Sequence, residues 1–241
     1  MIDDQFAPLT DKIMAAVRKL SDKPVKVLLN THWHFDHTGG NERFGKMGAT
    51  IIAHDNVYAR MSTEQKTPLA KGLTPPSPPA ALPVITYAES ATIHLCGYTI
   101  RAQKVVPAHT DGDTVVHFVE ADVYHMGDTF FNGSYPFFDQ DSGGDINGVV
   151  DVAKEYAAMV SPTAKLIPGH GPLSNKAELE SYAEVLEAIR DRVAEAIENS
   201  KTPAEIKAMQ LTKDFDAKWG NGMLAPAEFT KLVVDSLLRK Q

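Results

Sequence analysis

The chain has 241 residues, 43% of them hydrophobic, and a formal net charge of −7 at pH 7. This length supports one sizeable core with an appended element, and the hydrophobic share is typical of a globular protein. The acidic balance argues against a nucleic-acid groove, which requires a basic stripe, and no apolar stretch is long enough for a transmembrane helix. We therefore expect a small-molecule substrate and neither a nucleic-acid nor a membrane partner.

The beginning of the chain carries no visible targeting signal. Met1-Ile2-Asp3-Asp4 has neither the basic segment nor the long apolar segment of a signal peptide. We expect a soluble protein that is cytoplasmic by default, or periplasmic if an upstream segment precedes this chain in the natural protein. The single cysteine, Cys96, permits no internal disulfide and follows a strand-like run, where a core position is expected.

The first elements lead into a histidine-rich stretch. Residues 12–20 carry apolar side chains at helical spacing and predict a helix, and the apolar run 25–30 predicts a buried strand. Residues 31–40 follow directly after that strand, which is the usual place for a site on an α/β scaffold. The end of the strand is therefore the first position to inspect for functional residues.

Four potential metal ligands lie within six residues of this stretch, namely His32, His34, Asp36 and His37. In an extended segment His32, His34 and Asp36 point the same way, because side chains alternate with period two, and His37 follows where the backbone bends. Imidazole and carboxylate groups in one small space suit a divalent transition metal, usually zinc. The alternative is a polar loop that happens to hold histidines, and the spacing favours the metal site.

The middle of the chain predicts alternating short elements. Helices are expected over 41–46 and 55–61, with a strand over 50–53 between them. The six prolines of residues 62–83 exclude a regular helix or a central strand and predict a mobile rim loop near the site. Residues 84–126 read as strands, with Gly97 at a hairpin turn. A second long loop over 128–145, a helix over 146–160 capped by Asp145 and a short strand over 165–167 follow.

The last third of the chain is predicted to be helical. From residue 174 an apolar stripe recurs with a period of 3.6 residues as far as Ile197. Thr202-Pro203-Ala204-Glu205 is a capping box with proline at the first helical position, and a last helix follows Pro226. We expect residues 1–175 to form one domain, with residues 176–241 as a C-terminal helical extension packed on it.

Three further segments carry potential ligands downstream of the first motif: Ala108-His109-Thr110-Asp111-Gly112-Asp113, Met126-Gly127-Asp128-Thr129 and Pro168-Gly169-His170-Gly171. Together with residues 32–37, they resemble the ligand-bearing loops of the metallo-β-lactamase superfamily in the family's order. The resemblance implies an α/β fold, the four-layer αββα sandwich, here lacking the outer N-terminal hairpin and carrying extra C-terminal helices. A missing hairpin would leave a sheet edge open to pairing in a homodimer.

The resemblance also implies two divalent metal ions per chain, with zinc as the first expectation and iron or manganese as alternatives. Three histidines would hold one ion, Asp36, His37 and His170 would hold the other, and Asp128 would bridge them. Asp36 and Asp128 would be the catalytic carboxylates. The three histidines of the first ion are His32, His34 and His109.

The implied activity is that of a metallo-hydrolase, in which a bridging hydroxide attacks a carbonyl in an ester, thioester, lactone or β-lactam. A glyoxalase II-like thioesterase and a β-lactamase are the specific alternatives, and an acyl-homoserine lactonase uses the same chemistry. A tRNA-processing nuclease is disfavoured by the acidic charge. A mononuclear iron persulfide dioxygenase and a non-catalytic binding protein are the alternatives from other classes. His34 stands where flavin-linked diiron relatives carry Glu, which favours hydrolysis over redox chemistry, and the complete ligand set argues against the binding protein.

Several other polar and aromatic residues have two interpretations. Asn132 and Tyr135 are candidate substrate-binding residues that could donate to an oxyanion. His54 is expected at a helix start, and His94, His117 and His125 are expected in core or strand positions. One of Asp111 and Asp113 could orient a ligand, or both could form a turn. An apolar substrate pocket or loop packing is equally compatible with the aromatic residues Phe130, Phe131, Tyr135, Phe137 and Phe138.

Overall fold

A computed structural model describes residues 1–66 and 72–239. By its internal contacts the chain divides into two compact units. The first unit comprises Met1–Val105 and Gly112–His117, and the second comprises Val106–Asp111 and Phe118–Gln241. The predicted domain boundary at residue 175 stays a prediction.

In chain order, the first unit contains a parallel sheet, then a β-hairpin, and then one further strand. Its helices are α1 (Thr10–Arg18), α2 (Phe35–Thr38), α3 (Asn41–Lys46) and α4 (Asp55–Met61). Its strands are β1 (Val27–Leu29), β2 (Thr50–His54), β3 (Gln65–Lys66), β4 (Leu73–Thr74), β5 (Ile85–Tyr87), β6 (Ser90–Leu95), β7 (Tyr98–Lys104) and β8 (Thr114–Phe118, which belongs to this unit as far as His117).

The parallel sheet of this unit has the order β1-β2-β5, with Val27 paired to Thr50 and Ile52 paired to Ile85. The predicted strands before and after the histidine motif are thereby confirmed. Upstream of β1, the β pairing among the described residues is a single parallel bridge from Ile2 to Leu29. The sheet places the end of β1 next to the motif, because the chain leaves the buried strand at Asn30.

The predicted rim loop over 62–83 differs from the structure at its C-terminal end. A 3₁₀ turn at Pro79–Ala81 buries Ala81 in a cluster with Trp33, Val57 and Met61. The carbonyl of Ala81 also accepts a hydrogen bond from the Asn41 side chain at 2.9 Å. This end of the loop is therefore core, and residues 67–71 of the prediction lie outside the described residues.

Two residues of the first unit show how turn geometry decided their positions. Cys96 was expected in the core, but it is exposed at the β6–β7 turn with φ of 54°, followed by Gly97 with φ of 82°. The core prediction for Cys96 was wrong because the apolar, strand-like pattern runs as far as the turn itself, so the pattern alone does not show that Cys96 is already in the turn.

The predicted helix start at His54 is confirmed, because its Nδ1 accepts from the Asn56 amide at 3.1 Å and so caps α4.

The second unit consists of a parallel strand pair and the C-terminal helices. Its elements are β9 (Val123–Phe131), α5 (Ile146–Met159), β10 (Lys165–His170), α6 (Lys176–Glu198), α7 (Pro203–Ala208), α8 (Asp216–Trp219) and α9 (Pro226–Leu238). The predicted Asp145 cap and the Thr202–Glu205 capping box are both present. The extra C-terminal helices are thereby confirmed. In the described residues no helix has the length and apolar character needed to cross a membrane.

Strand β9 is longer than predicted. The second loop was expected to begin at residue 128, but β9 continues to Phe131 because Thr129, Phe130 and Phe131 favour extended structure. Gly127, with φ of 53°, distorts the strand without ending it. Strand β10 likewise extends to His170, with register shifts on both sides of Pro168. As a result, Asp128 and His170 both lie on paired strands.

Candidate metal centre

The histidine motif folds as a short bend between β1 and helix α2. His34 is extended, with ψ of 150°, and stands at the N-terminal end of α2, where its carbonyl accepts from the amides of His37 and Thr38. The prediction that the extended segment reaches Asp36 was wrong, because α2 begins at Phe35. The helical turn brings His37 back to His32, with ring centroids 4.1 Å apart, while the centroids of His32 and His34 are 5.0 Å apart.

The three histidines of this motif are almost completely buried, at 1% exposure for His32, 2% for His34 and 5% for His37. Asp36 lies beside them, with its Oδ2 3.6 Å from His37 Nε2. Buried imidazoles next to a carboxylate are donor types that divalent cation sites use. The motif thus brings its four predicted ligands together within the first unit.

Asp3, a residue that received no role from the sequence, holds this motif in place. Its Oδ1 accepts from the Thr31 amide at 2.8 Å, and its Oδ2 accepts from the Thr31 hydroxyl at 2.7 Å and from His37 Nδ1 at 2.8 Å. Since the Thr31 hydroxyl gives its hydrogen to Asp3, its oxygen accepts from His32 Nδ1 at 3.1 Å. In both His32 and His37 the ring proton is therefore assigned to Nδ1, so Nε2 carries the lone pair.

The neighbouring Asp4 supports the end of the same motif. It is 1% exposed, and its Oδ1 accepts from the Gly40 amide at 2.8 Å. Burial raises the pKa of Asp4 to about 7, against the lowering effect of the Gly40 hydrogen bond. The acidic pair at the start of the chain is a visible signal in the sequence, but only the folded chain shows what each carboxylate contacts.

In the second unit, Asp128 lies between the two remaining histidines. Its Oδ2 is 3.4 Å from His109 Nε2 and 3.2 Å from His170 Nε2, and its exposure is 4%. His109 Nδ1 donates to the Phe137 carbonyl at 2.8 Å, which turns the Nε2 lone pair towards Asp128. The ring of His170 stacks on Phe131, with centroids 4.9 Å apart.

Gly169 has no side chain, and this leaves the space that the Asp128 carboxylate occupies. A Cβ at Gly169 would lie 2.0 Å from Asp128 Oδ1 and 2.7 Å from the carbonyl carbon and oxygen of Gly127. The carboxylate therefore occupies the space that any other side chain at position 169 would need. This cradle and the nitrogen–oxygen chemistry of the donors both fit a divalent metal ion.

The two candidate substrate-binding residues make contacts inside the second unit. The backbone N–H of Asn132 donates to the His170 carbonyl at 2.9 Å, and the side-chain Nδ2 of Asn132 donates to the Pro172 carbonyl at 3.1 Å. Tyr135 is completely buried, stacks on Phe229 and donates its hydroxyl to Asp216 at 2.8 Å. Their oxyanion role stays a prediction, and for Tyr135 it would require the bond to Asp216 to break.

The aromatic residues that follow Asp128 are packing residues. Phe130 and Phe138 are completely buried, and Phe131 and Phe137 are nearly so. Phe131 and Phe137 also contact the rings of the candidate ligands His170 and His109. Of the two interpretations, loop packing is therefore the one that the structure supports.

Comparison with known proteins decides the family. The family model described as the metallo-beta-lactamase superfamily matches residues 4–182, which is most of the chain. The chain belongs to the metallo-beta-lactamase superfamily. This membership confirms the predicted family, and the match contains all four ligand-bearing segments.

Individual relatives are distant. A hydroxyacylglutathione hydrolase from Polaromonas sp. (strain JS666 / ATCC BAA-500) is 24% identical over 169 residues, which cover 70% of this chain and 57% of that protein. A metallo-beta-lactamase from Pontibacter korlensis has a TM-score of 0.62 at 19% identity, covering 77% of this chain and 81% of its own. A double mutant of the sec-alkyl sulfatase PisA1 has a TM-score of 0.71 at 15% identity, covering 98% of this chain and 45% of its own.

These comparisons confirm the fold and the superfamily, whose named relatives are hydrolases. This chain spans little more than half of the Polaromonas protein and less than half of the sulfatase. The reaction that the chain itself catalyses is therefore a matter for proposal.

Proposed function

We propose that the chain is a metal-dependent hydrolase that cleaves a carbonyl compound, such as an ester, thioester, lactone or β-lactam, at a centre of two divalent ions. The main support for this proposal is the position of the Asp128 carboxylate. It lies next to two histidine Nε2 atoms, in a space that the missing side chain of Gly169 leaves open. Nothing in core packing calls for a buried carboxylate there, whereas a cation does.

The proposed ligands come from all four ligand-bearing segments of the family match. His32 and His34 would hold one ion together with His109, while Asp36 and His37 would hold the second together with His170. Asp128 would serve both ions, because a carboxylate offers two oxygens. This assignment rests on the family match over residues 4–182 and on the order of the ligand segments within it. Zinc suits this mixture of nitrogen and oxygen donors, and iron and manganese are the alternatives.

Divalent ions in such a centre supply Lewis-acid polarisation of the scissile carbonyl and activation of water. The chain's own residues keep that centre in one geometry. Asp3 fixes the ring of His37, and the Phe137 carbonyl fixes the ring of His109, so neither ligand has to reorient when the ion binds. Asp36 and Asp128, as the two carboxylates of the centre, can accept the proton that an attacking water gives up.

Thioester hydrolysis is the favoured specific reaction, because the curated relative matched over most of this chain is named a hydroxyacylglutathione hydrolase. β-Lactam hydrolysis is the second candidate. Its support is that solved metallo-beta-lactamases share the fold of this chain, at under 20% identity. Both reactions need the same polarised carbonyl and differ in the leaving group, a thiolate in one case and the ring amine in the other.

Metal analysis combined with a substrate panel tests the proposal. We expect two equivalents of transition metal in carefully prepared protein and turnover of at least one of S-lactoylglutathione, an acyl-homoserine lactone, a simple aryl ester and nitrocefin. Asp128→Asn should lose turnover, whereas Asp151→Asn, an exposed aspartate on α5, should not. Protein without bound metal, or metal-loaded protein inactive on the whole panel, would reject the proposal.

A further inference from the structure

One completely buried carboxylate of the second unit has no part in the proposed reaction. Asp139 is 0% exposed and lies in the loop between β9 and α5. Burying a carboxylate is costly unless hydrogen bonds satisfy its oxygens. The bonds that Asp139 makes therefore show which part of the fold depends on it.

The side chain of Asp139 closes a tight turn. Its Oδ1 accepts from the backbone N–H groups of Asp141 at 3.1 Å and of Ser142 at 3.3 Å, and its Oδ2 accepts from the Ser142 hydroxyl at 2.7 Å. These bonds stabilise the 3₁₀ turn at Gln140–Ser142. Where the turn ends, the Asp139 carbonyl accepts from the Gly144 N–H at 2.7 Å. Both carboxylate oxygens thus hold this loop in one conformation.

The backbone of the same loop binds His109 at two points. The Asp139 N–H donates to the His109 carbonyl at 2.8 Å. The Phe137 carbonyl accepts from His109 Nδ1, also at 2.8 Å. The loop therefore fixes both the main chain of His109 and the direction of its ring.

The residues on either side of His109 are bound by the loop as well. The Asp111 N–H donates to the Ser142 carbonyl at 2.8 Å, and the Asp145 N–H donates to the Ala108 carbonyl at 2.8 Å. Because these bonds flank His109 in the chain, the segment that carries the ring has little freedom to shift while the loop keeps its conformation.

The fit between the loop and this segment is tight. A Cβ at Gly144 would lie 2.5 Å from the His109 carbonyl oxygen and 2.7 Å from the Asp139 nitrogen. These are the two atoms of the hydrogen bond that joins the loop to His109. The loop therefore closes over that bond without leaving room for a side chain at position 144.

We propose that Asp139 is a positioning residue for the ring of His109. Its carboxylate shapes the turn, the turn holds the backbone from Phe137 to Asp139, and that backbone orients the ring so that Nε2 lies 3.4 Å from Asp128 Oδ2. This inference rests on the proposed function for the role of His109 as a metal ligand, and on the bonds of the loop for the orientation of the ring.

The ring proton of His109 tests this role without requiring catalysis. The protein as purified is isotopically labelled at its histidine nitrogens, and NMR measures the solvent-exchange rates of the Nδ1 protons of His109 and His37. The two signals are assigned by their loss in His109→Gln and His37→Gln.

Asp139→Ala should accelerate exchange of the His109 proton by about 10-fold or more, because the Phe137 carbonyl that accepts this proton is then no longer held. The His37 proton is the internal reference, since it is bonded to Asp3 in the first unit. Its exchange rate should change by less than about 2-fold, because general loosening would affect both protons and a local effect only one.

Milder variants keep the test decisive if Asp139→Ala does not fold. Asp139→Asn keeps an oxygen for the two amides and loses the acceptor for the Ser142 hydroxyl, and Ser142→Ala removes the same bond from the other side. Each should accelerate exchange of the His109 proton by about 3- to 10-fold, as for one hydrogen bond. Thr202→Ala is the matched control, because it also removes a side-chain acceptor of a backbone amide, at the start of α7. It should leave both protons unchanged, and thermal melts show that each variant is folded.

Metal titration of the same variants measures the consequence for the centre. In Asp139→Ala one of the two ions should bind about 10- to 100-fold less tightly, as when a residue that orients a ligand is lost, and the other should keep its affinity within about 2-fold. Thr202→Ala should keep both affinities.

The outcomes separate this inference from the proposed function. If the His109 proton keeps its wild-type exchange rate in every folded variant, or if the His37 proton accelerates equally, Asp139 does not position His109. Two ions bound with unchanged affinity in Asp139→Ala would overturn the inference as well. A protein in which Asp139 controls the His109 proton but which binds no transition metal would keep the inference and count against the proposed metal centre.

Discussion

The most direct probe of the centre is Gly169→Ala, which adds one methyl group against Asp128. Position 169 needs no left-handed backbone, so alanine is conformationally acceptable there and only the contact is tested. The new Cβ would lie 2.0 Å from Asp128 Oδ1, whereas ordinary contact begins at 3.4 Å. The separation must therefore widen by about 1.4 Å.

The carboxylate has to make most of that movement. Gly127, which the Cβ would also meet at 2.7 Å, is held in β9 by its pairing with Pro168 on β10. Rotation of Asp128 would break its contacts with His109 and His170. We expect a loss of about 1–3 kcal/mol in the free energy of unfolding, as for other overpacked sites. The weaker metal should bind about 10- to 100-fold less tightly, as when an orienting residue is lost.

Gly133→Ala is the matched control, because a Cβ there meets no described atom within 4 Å and φ of 84° leaves only backbone strain. The two variants are compared by urea unfolding and by metal titration against a chromophoric chelator. Gly133→Ala should lose about 1 kcal/mol of stability and keep both metal affinities. If Gly169→Ala bound both metals as tightly as the wild type does, the cradle around Asp128 would have no role in the centre.

Three further substitutions test individual contacts. His109→Ala should lower kcat/KM by about 100-fold or more by removing a nitrogen ligand, while circular dichroism shows a folded chain; normal turnover would exclude His109 as a ligand. Asp128→Asn keeps the shape and removes a charge, so one metal should bind much more weakly than the other, and kcat should fall more than KM rises. Two sites that fill in a titration with unchanged affinity would mean that Asp128 bridges nothing. Asn132→Ala removes the bond to the Pro172 carbonyl and should cost about 1 kcal/mol of unfolding free energy, with weaker metal binding at His170; an unchanged metal titration would leave Asn132 with a purely structural role.

The sequence by itself determined the candidate ligand types, their order and the class of fold. The spacing of His32, His34 and His37 is a short-range property of the chain, because a bend of a few residues brings them together wherever the rest of the chain lies. The apolar runs before and after the motif likewise predict β1 and β2, since buried parallel strands need continuous apolar residues. Caps such as Asp145 are readable for the same reason, because donor and acceptor are only two residues apart.

Tertiary structure decided every contact that joins distant parts of the chain. Asp3 reaches Thr31 and His37, which lie about thirty residues away, and no local pattern encodes that approach. Gly169 is required because Asp128, on another strand, occupies the place of its side chain. Tyr135 is a core residue because α8 and α9 bring Asp216 and Phe229 to it. Local spacing sets what a residue can bind, whereas the partner it meets depends on packing between segments that are far apart in sequence.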